Sequence, residues 1–112
     1  MRIENATLAD GRVVDVRIED GTIDAVGDLS PLEGEDTIDA DENLLLPGAI
    51  DVHVHFREPG FEHKETWETG SQSAAAGGVA TVADQPNTDP TTTTGEGFDV
   101  KADRAEKSCI DY

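Results

Sequence analysis

The sequence is poor in positive charge. It has only 8 lysine and arginine residues against 25 aspartates and glutamates, and its formal net charge is −17. The acidic residues are spread along the whole chain rather than gathered in a tail. Nucleic acids and anionic membranes are bound by basic surfaces, so this charge balance argues against both as partners.

Two interpretations of the acidic excess are open. One is a disordered acidic segment, and the other is a surface adapted to high salt, where dissolved ions screen the repulsion between carboxylates. Short apolar strand patterns cover most of the chain, which speaks against disorder, and only three residues are lysines. The sequence therefore favours a folded, halophilic protein.

Cysteine and long apolar runs are also scarce. Cys109 is the single cysteine, which excludes an internal disulfide and fits a reducing cytosol. No apolar run approaches the roughly 18 residues of a membrane span. Residues 1–5 lack the apolar region of a signal peptide. We expect a soluble, cytoplasmic protein.

The first 40 residues alternate apolar and polar in short runs separated by turn pairs, which is typical of antiparallel strands with one solvated face. Asp10-Gly11 and Asp20-Gly21 predict tight type I′ hairpin turns. The predicted strands lie at 3–8, 13–18, 22–26 and 37–40. We assign residues 1–44 to a small β domain with a structural role.

Residues 44–60, LLLPGAIDVHVHFREPG, combine an apolar strand with two histidines and an arginine. Side chains alternate across a strand, so His53 and His55 share one face with Asp51 while the valines take the other. Neighbouring imidazoles on one face can share a cation, at roughly 2.0–2.1 Å for zinc. Arg57 follows, and its planar guanidinium suits a carboxylate.

The periodicity changes after residue 60. Residues 64–76 predict a helix ended by Gly77-Gly78, and residues 79–83 predict a short strand. Together with the strand before residue 60 they form a βαβ unit, which implies a parallel sheet. The fold class is therefore α/β.

A second helix is predicted after the threonine run, with Thr94 as its N-cap. Phe98 and Cys109 fall on its apolar face, which favours a core position for the cysteine over a nucleophilic role. Residues 108–112 predict the opening of a third strand. The sequence thus predicts a repeating strand–helix pattern.

Four side chains fall at the carboxyl ends of the predicted parallel strands: His53, His55, Arg57 and Asn87. Sites in parallel α/β barrels form at this end. A cation held by the histidines would lower the pKa of a bound water to about 7 for attack on an amide or imide carbonyl. Arg57 and the Asn87 amide would hold a substrate carboxylate beside it.

The segment 47–60, PGAIDVHVHFREPG, resembles the first-strand signature of the amidohydrolase superfamily, in its dihydroorotase, allantoinase and hydantoinase branch. The Pro86-Asn87-Thr88 segment is more similar to dihydroorotases, of the class I type, than to allantoinases. The resemblance implies a (β/α)8 TIM-type barrel preceded by a small β domain. Residues 45–112 would then be the start of that barrel, with strand 1, helix 1, strand 2, helix 2 and the start of strand 3.

The resemblance also implies roles for individual residues. His53 and His55 match ligands of one of two zinc ions in the barrel mouth. His55, Arg57 and Asn87 match positions that contact substrate, the last two binding its carboxylate. The implied reaction is the interconversion of N-carbamoyl-L-aspartate and L-dihydroorotate in pyrimidine biosynthesis.

A complete barrel takes about 250 residues, more than this chain contains. The resemblance implies a carboxylated lysine, two further metal histidines and an aspartate base, all outside these residues, so no catalytic residue is expected within the chain. We expect this piece to be inactive alone. The alternatives are an allantoinase or hydantoinase, and a non-catalytic acidic domain that binds a partner chain; homo-oligomerisation is also open.

Overall fold

The structure is a computed structural model that describes residues 1–112. It is mixed α/β, and the chain divides into two compact units, residues 1–47 and residues 48–112. The strands are β1 (Arg2–Thr7), β2 (Val13–Glu19), β3 (Thr22–Gly27), β4 (Thr37–Asp39), β5 (Ala49–Val54) and β6 (Val79–Asp84), and the helices are α1 (Trp67–Ala76) and α2 (Gly95–Ala105).

The first unit is a four-stranded sheet in the order β3-β2-β1-β4. Strands β1, β2 and β3 pair antiparallel, as predicted, and Ala6 and Val16 are its buried apolar residues. Strand β4 instead pairs parallel with β1. The prediction of antiparallel strands is wrong there, because the connector 28–36 returns the chain so that β4 runs in the direction of β1.

The two predicted hairpin turns differ. Asp20 and Gly21 both have positive φ, 49° and 75°, which confirms the type I′ prediction. At the other turn only Gly11 has positive φ, and Leu8 N donates to Arg12 O across 2.9 Å. That loop has three residues and ends in a left-handed glycine, so the two-residue prediction is wrong.

In the second unit β5 and β6 are parallel and α1 lies between them in sequence, which confirms the predicted βαβ order. Phe56, Trp67, Val82 and Ala105 form its core. The predicted opening of a third strand is present as one parallel bridge, in which Val82 N donates to Asp111 O across 3.0 Å.

Both helices begin at a threonine cap. Thr94 caps α2 as predicted, since its Oγ1 accepts from Gly97 N at 3.1 Å. Helix α1 begins at Trp67 rather than at residue 64. Its cap is Thr66, whose hydroxyl accepts from Thr69 N at 3.2 Å, and the turn before it is not helical.

The predicted apolar face of α2 is only partly correct. Ala105 is buried, but Phe98 is 61% exposed. Cys109 is exposed and lies outside the helix, which ends at Ala105, so the prediction of a core cysteine on this helix is wrong. Neither helix has the length and apolar character needed to cross a membrane.

The apolar face of β5 is unevenly covered. Ile50 and Val52 are each 69% exposed, whereas Val54 packs against the core of the second unit. Strands in parallel sheets are usually covered on both faces. The buried end of β5 is thus the end that leads into the histidine and arginine segment.

Candidate metal and carboxylate site

The predicted site residues lie at one edge of the β5-β6 sheet. His53 and His55 lie at the carboxyl end of β5, Arg57 two residues further on, and Asn87 follows the carboxyl end of β6. Because the two strands are parallel and adjacent, these ends meet at the same edge.

The geometry of the histidines suits a shared cation. The ring centres of His53 and His55 are 5.2 Å apart, with an interplanar angle of 66°. Two imidazoles bound to one tetrahedral zinc at roughly 2.0–2.1 Å would have ring centres about 5 Å apart. The ring separation is therefore compatible with the two side chains as ligands of one ion.

Asn87 orients one of these rings. His55 Nδ1 lies 2.9 Å from Asn87 Oδ1, and because an amide oxygen only accepts, the ring must donate from Nδ1. That tautomer leaves Nε2 of His55 as the nitrogen able to bind a metal.

The histidine pair is only part of a ligand set. The chain has no group of three or more histidine, cysteine, aspartate or glutamate side chains placed to hold a metal ion. The carboxylate of Asp51, on the same strand, accepts from the His53 backbone N at 3.0 Å instead. A complete four-ligand site needs residues beyond the two imidazoles.

Arg57 stands in a left-handed backbone conformation, with φ of 68°. Its side chain is half-buried, and it takes part in none of the ion pairs of the chain. It lines an open cleft of about 600 Å³ together with His55 and Lys64, between β5 and α1. His53 and Asn87 do not line this cleft, so it contains two of the four predicted residues.

A buried glutamate follows Arg57 directly. Glu58 is 2% exposed; its Oε2 accepts from Trp67 N at 3.0 Å and its Oε1 pairs with Lys107. Glu58 thus connects the segment after β5 to the start of α1.

Asp84, at the end of β6, is a second buried carboxylate of this region, and no sequence pattern predicted its role. Its Oδ1 accepts from Phe56 N at 2.7 Å, and Lys101 Nζ lies 2.5 Å from its Oδ2. The available signal was an aspartate ending an apolar strand, directly before the loop that carries Asn87. Its partners lie 28 and 17 residues away and carry no local pattern.

Known proteins are similar to this chain over most of its length. The model of the family described as dihydro-orotase-like matches residues 42–109. A dihydroorotase of Halobacterium salinarum is 61% identical over 109 residues, covering 96% of this chain and 25% of that protein. A dihydroorotase of Methanosphaera stadtmanae is 46% identical over 114 residues, covering 98% of this chain and 27% of that protein.

A solved structure is similar over the same range. The L-hydantoinase (dihydropyrimidinase) of Arthrobacter aurescens has a TM-score of 0.83 and 34% identity, covering 93% of this chain and 24% of that one. The chain thus spans about a quarter of the length of the proteins it matches. Since the family model covers more than half of its residues, the chain belongs to the dihydro-orotase-like family.

Proposed function

We propose that this chain is the N-terminal portion of a metal-dependent cyclic amidohydrolase. The reaction we infer is the interconversion of N-carbamoyl-L-aspartate and L-dihydroorotate, in pyrimidine biosynthesis. The observation that carries this proposal is the His55–Asn87 hydrogen bond of 2.9 Å, which joins a candidate metal ligand to a candidate substrate residue across two parallel strand ends. The identity to dihydroorotases supports it.

The fold that we propose for the whole protein is a small β domain, residues 1–44, followed by a (β/α)8 barrel that begins with residues 45–112. The order β5-α1-β6-α2 and the parallel bridge after it support this proposed fold. So does the exposed apolar face at Ile50 and Val52, since barrel strands bury that face against their outer helices.

We propose that His53 and His55 hold one zinc ion, and that the remaining ligands and a second ion belong to parts of the protein outside this chain. When bound, the metal would act as a Lewis acid toward an amide or imide carbonyl and lower the pKa of water. His55 contributes Nε2, because its Nδ1 is engaged by Asn87. The 112 residues alone are expected to be inactive.

Arg57 and Asn87 would bind the substrate carboxylate beside the metal. The guanidinium of Arg57 is unpaired within the chain and offers two parallel N–H donors. The Asn87 NH₂ adds a third donor, because its oxygen is taken by His55. We further propose cytoplasmic localisation and no nucleic-acid or membrane partner.

The test uses the full-length protein, assayed in molar salt for ring opening of L-dihydroorotate and for the reverse cyclisation. Arg57→Met should raise KM for dihydroorotate about 100-fold, because a charge-assisted bidentate contact worth roughly 3 kcal/mol is lost. Arg12→Met, which removes an exposed arginine, is the matched control.

His53→Ala tests the metal assignment in the same full-length protein. It should abolish turnover and reduce bound zinc. Turnover that survives this substitution would refute the metal assignment.

A hydantoinase is the second candidate, because a hydantoinase structure superposes on the chain. Unsubstituted hydantoin and dihydropyrimidine rings carry no carboxylate, so Arg57→Met should leave their turnover unchanged. A wild-type enzyme that prefers these rings over dihydroorotate would favour this candidate. An inactive full-length protein with no bound metal would instead favour a non-catalytic acidic domain that binds a partner chain.

A further inference from the structure

Asp84 is a buried charged group that the proposed mechanism does not use. Its side chain is 2% exposed and that of Lys101 is 8% exposed. Asp84 Oδ1 accepts from Phe56 N at 2.7 Å. Lys101 Nζ forms an ion pair with Oδ2 at 2.5 Å and also donates to Gln85 O at 2.5 Å.

These contacts join the two loops that carry the candidate substrate residues. Phe56 directly precedes Arg57, and Gln85 stands two residues before Asn87. One buried pair therefore holds the backbone of the loop after β5 and the backbone of the loop after β6.

The same two loops are pressed together further on. Asp89 N donates to Pro59 O at 3.0 Å. A Cβ added at Gly60 would lie 2.6 Å from both the Cβ and the backbone oxygen of Asp89, so only glycine permits this approach. The two loops are therefore in direct contact at Pro59, Gly60 and Asp89.

Arg57 needs such support. Its φ of 68° is a left-handed conformation that is unfavourable for a residue with a long side chain. A non-glycine residue keeps this conformation only when its neighbours hold the backbone in place. The charge-assisted bond from Phe56 N to Asp84 lies one residue away and supplies that restraint.

We propose that Asp84, balanced by Lys101, is a positioning residue that sets the placement of Arg57 relative to Asn87 and so the affinity for the substrate carboxylate. This inference rests on the proposed function. Positioning Arg57 can be separated experimentally from stabilising the fold. A buried ion pair can often be replaced by apolar residues without loss of stability. Positioning would be lost in such a replacement even where folding is kept.

The experiment uses the full-length protein with the double substitution Asp84→Leu and Lys101→Met, which removes both charges together. KM for dihydroorotate should rise at least tenfold, while kcat and zinc content stay close to the wild-type values. The unfolding midpoint should fall modestly, because the Phe56 N–H loses its acceptor. Hydrogen exchange at the Phe56, Arg57 and Gln85 amides should quicken at least tenfold. Asp99→Asn, at an exposed position of α2, the helix that carries Lys101, is the control and should change neither KM nor amide exchange.

Asp84→Asn is the second variant and decides the question if the double variant does not fold. It keeps an acceptor for Phe56 N but removes the charge, so a smaller rise in KM of about threefold is expected. An unchanged KM in a folded variant would overturn the proposal. A wild-type protein without dihydroorotase activity would refute the proposed function instead, and unchanged amide exchange in the variants would then overturn the loop restraint separately.

Discussion

Gly70 shows how a single residue fixes the distance between α1 and the site. A Cβ at this position would lie 2.5 Å from Cδ1 of the Phe56 ring. That ring is buried in the core and packs edge-on against Trp67, with centroids 5.2 Å apart. The helix can approach the segment after β5 this closely only because residue 70 has no side chain.

Gly70→Ala should therefore destabilise the chain. Overpacking a filled core costs roughly 1–3 kcal/mol, and alanine recovers about 1 kcal/mol through its higher helix propensity. We expect a net loss of about 1 kcal/mol in the free energy of unfolding, measured by urea denaturation in molar salt. Gly95→Ala is the matched control, because a Cβ there meets nothing within 4 Å. A Gly70→Ala chain as stable as the Gly95→Ala chain would show that the ring can move aside.

At the same scale, the sequence revealed site residues only where the pattern is local. His53 and His55 could be identified because strand alternation puts residues two apart on one face. Asp84 could not, because its contact with Phe56 N joins residues 28 apart. Likewise the hydrogen bond that sets the His55 tautomer depends on how two loops pack, which no spacing encodes.

The ends of strands and helices were predicted correctly where a particular residue type is required by a turn or a helix cap. Asp20-Gly21 suits its turn through positive φ, and Thr94 caps α2 through its own hydroxyl. The start of α1 was placed too early, because the charged residues before Thr66 are compatible with a helix but are excluded by the cap geometry. Phe98 was expected in a core because its periodicity is helical, yet burial requires a partner surface that periodicity cannot supply.

The connector 28–36 is held to the first sheet by an arginine–glutamate pair. Arg17 Nε donates to Glu35 Oε1 at 2.6 Å, and its Nη2 donates to Glu35 Oε2 at 3.1 Å. The same Nη2 donates to Ser30 O at 2.8 Å. These hydrogen bonds from Arg17 lower the pKa of Glu35 from its ordinary 4.5 to about 2.

The lowered pKa of Glu35 should make the stability of the folded chain depend on pH. The ionised form of Glu35 stabilises the folded chain above about pH 4.5, and this contribution should be lost as the pH falls from 4.5 toward 2. Glu35→Gln should lower the urea midpoint at pH 6. The difference in midpoint between the variant and the wild type should shrink as the pH falls from 4.5 toward 2. Glu33→Gln, in the same exposed connector, should follow the wild-type curve. A constant difference between pH 6 and pH 2.5 would contradict the pairing.

Charge dominates the molecule as a whole. Of the 25 acidic residues only six lie in ion pairs with a lysine or arginine, namely Glu4, Asp10, Asp15, Glu35, Glu58 and Asp84. The remaining carboxylates form no ion pair within the chain. Composition alone predicted this excess, whereas the buried positions of three paired carboxylates, at Glu35, Glu58 and Asp84, depend on the fold.

The stability of the folded chain should therefore depend on salt concentration. At 1 M ionic strength the screening length is about 3 Å, and at 0.01 M it is about 30 Å, so dilution lets carboxylates across the whole surface repel each other. We expect circular dichroism to show partial unfolding between 2 M KCl and dilute buffer. Neutralising three exposed acids, with Glu33→Gln, Asp99→Asn and Asp103→Asn, should shift the midpoint of this transition to lower salt. A spectrum unchanged on dilution would mean that the packing within each unit outweighs a net charge of −17.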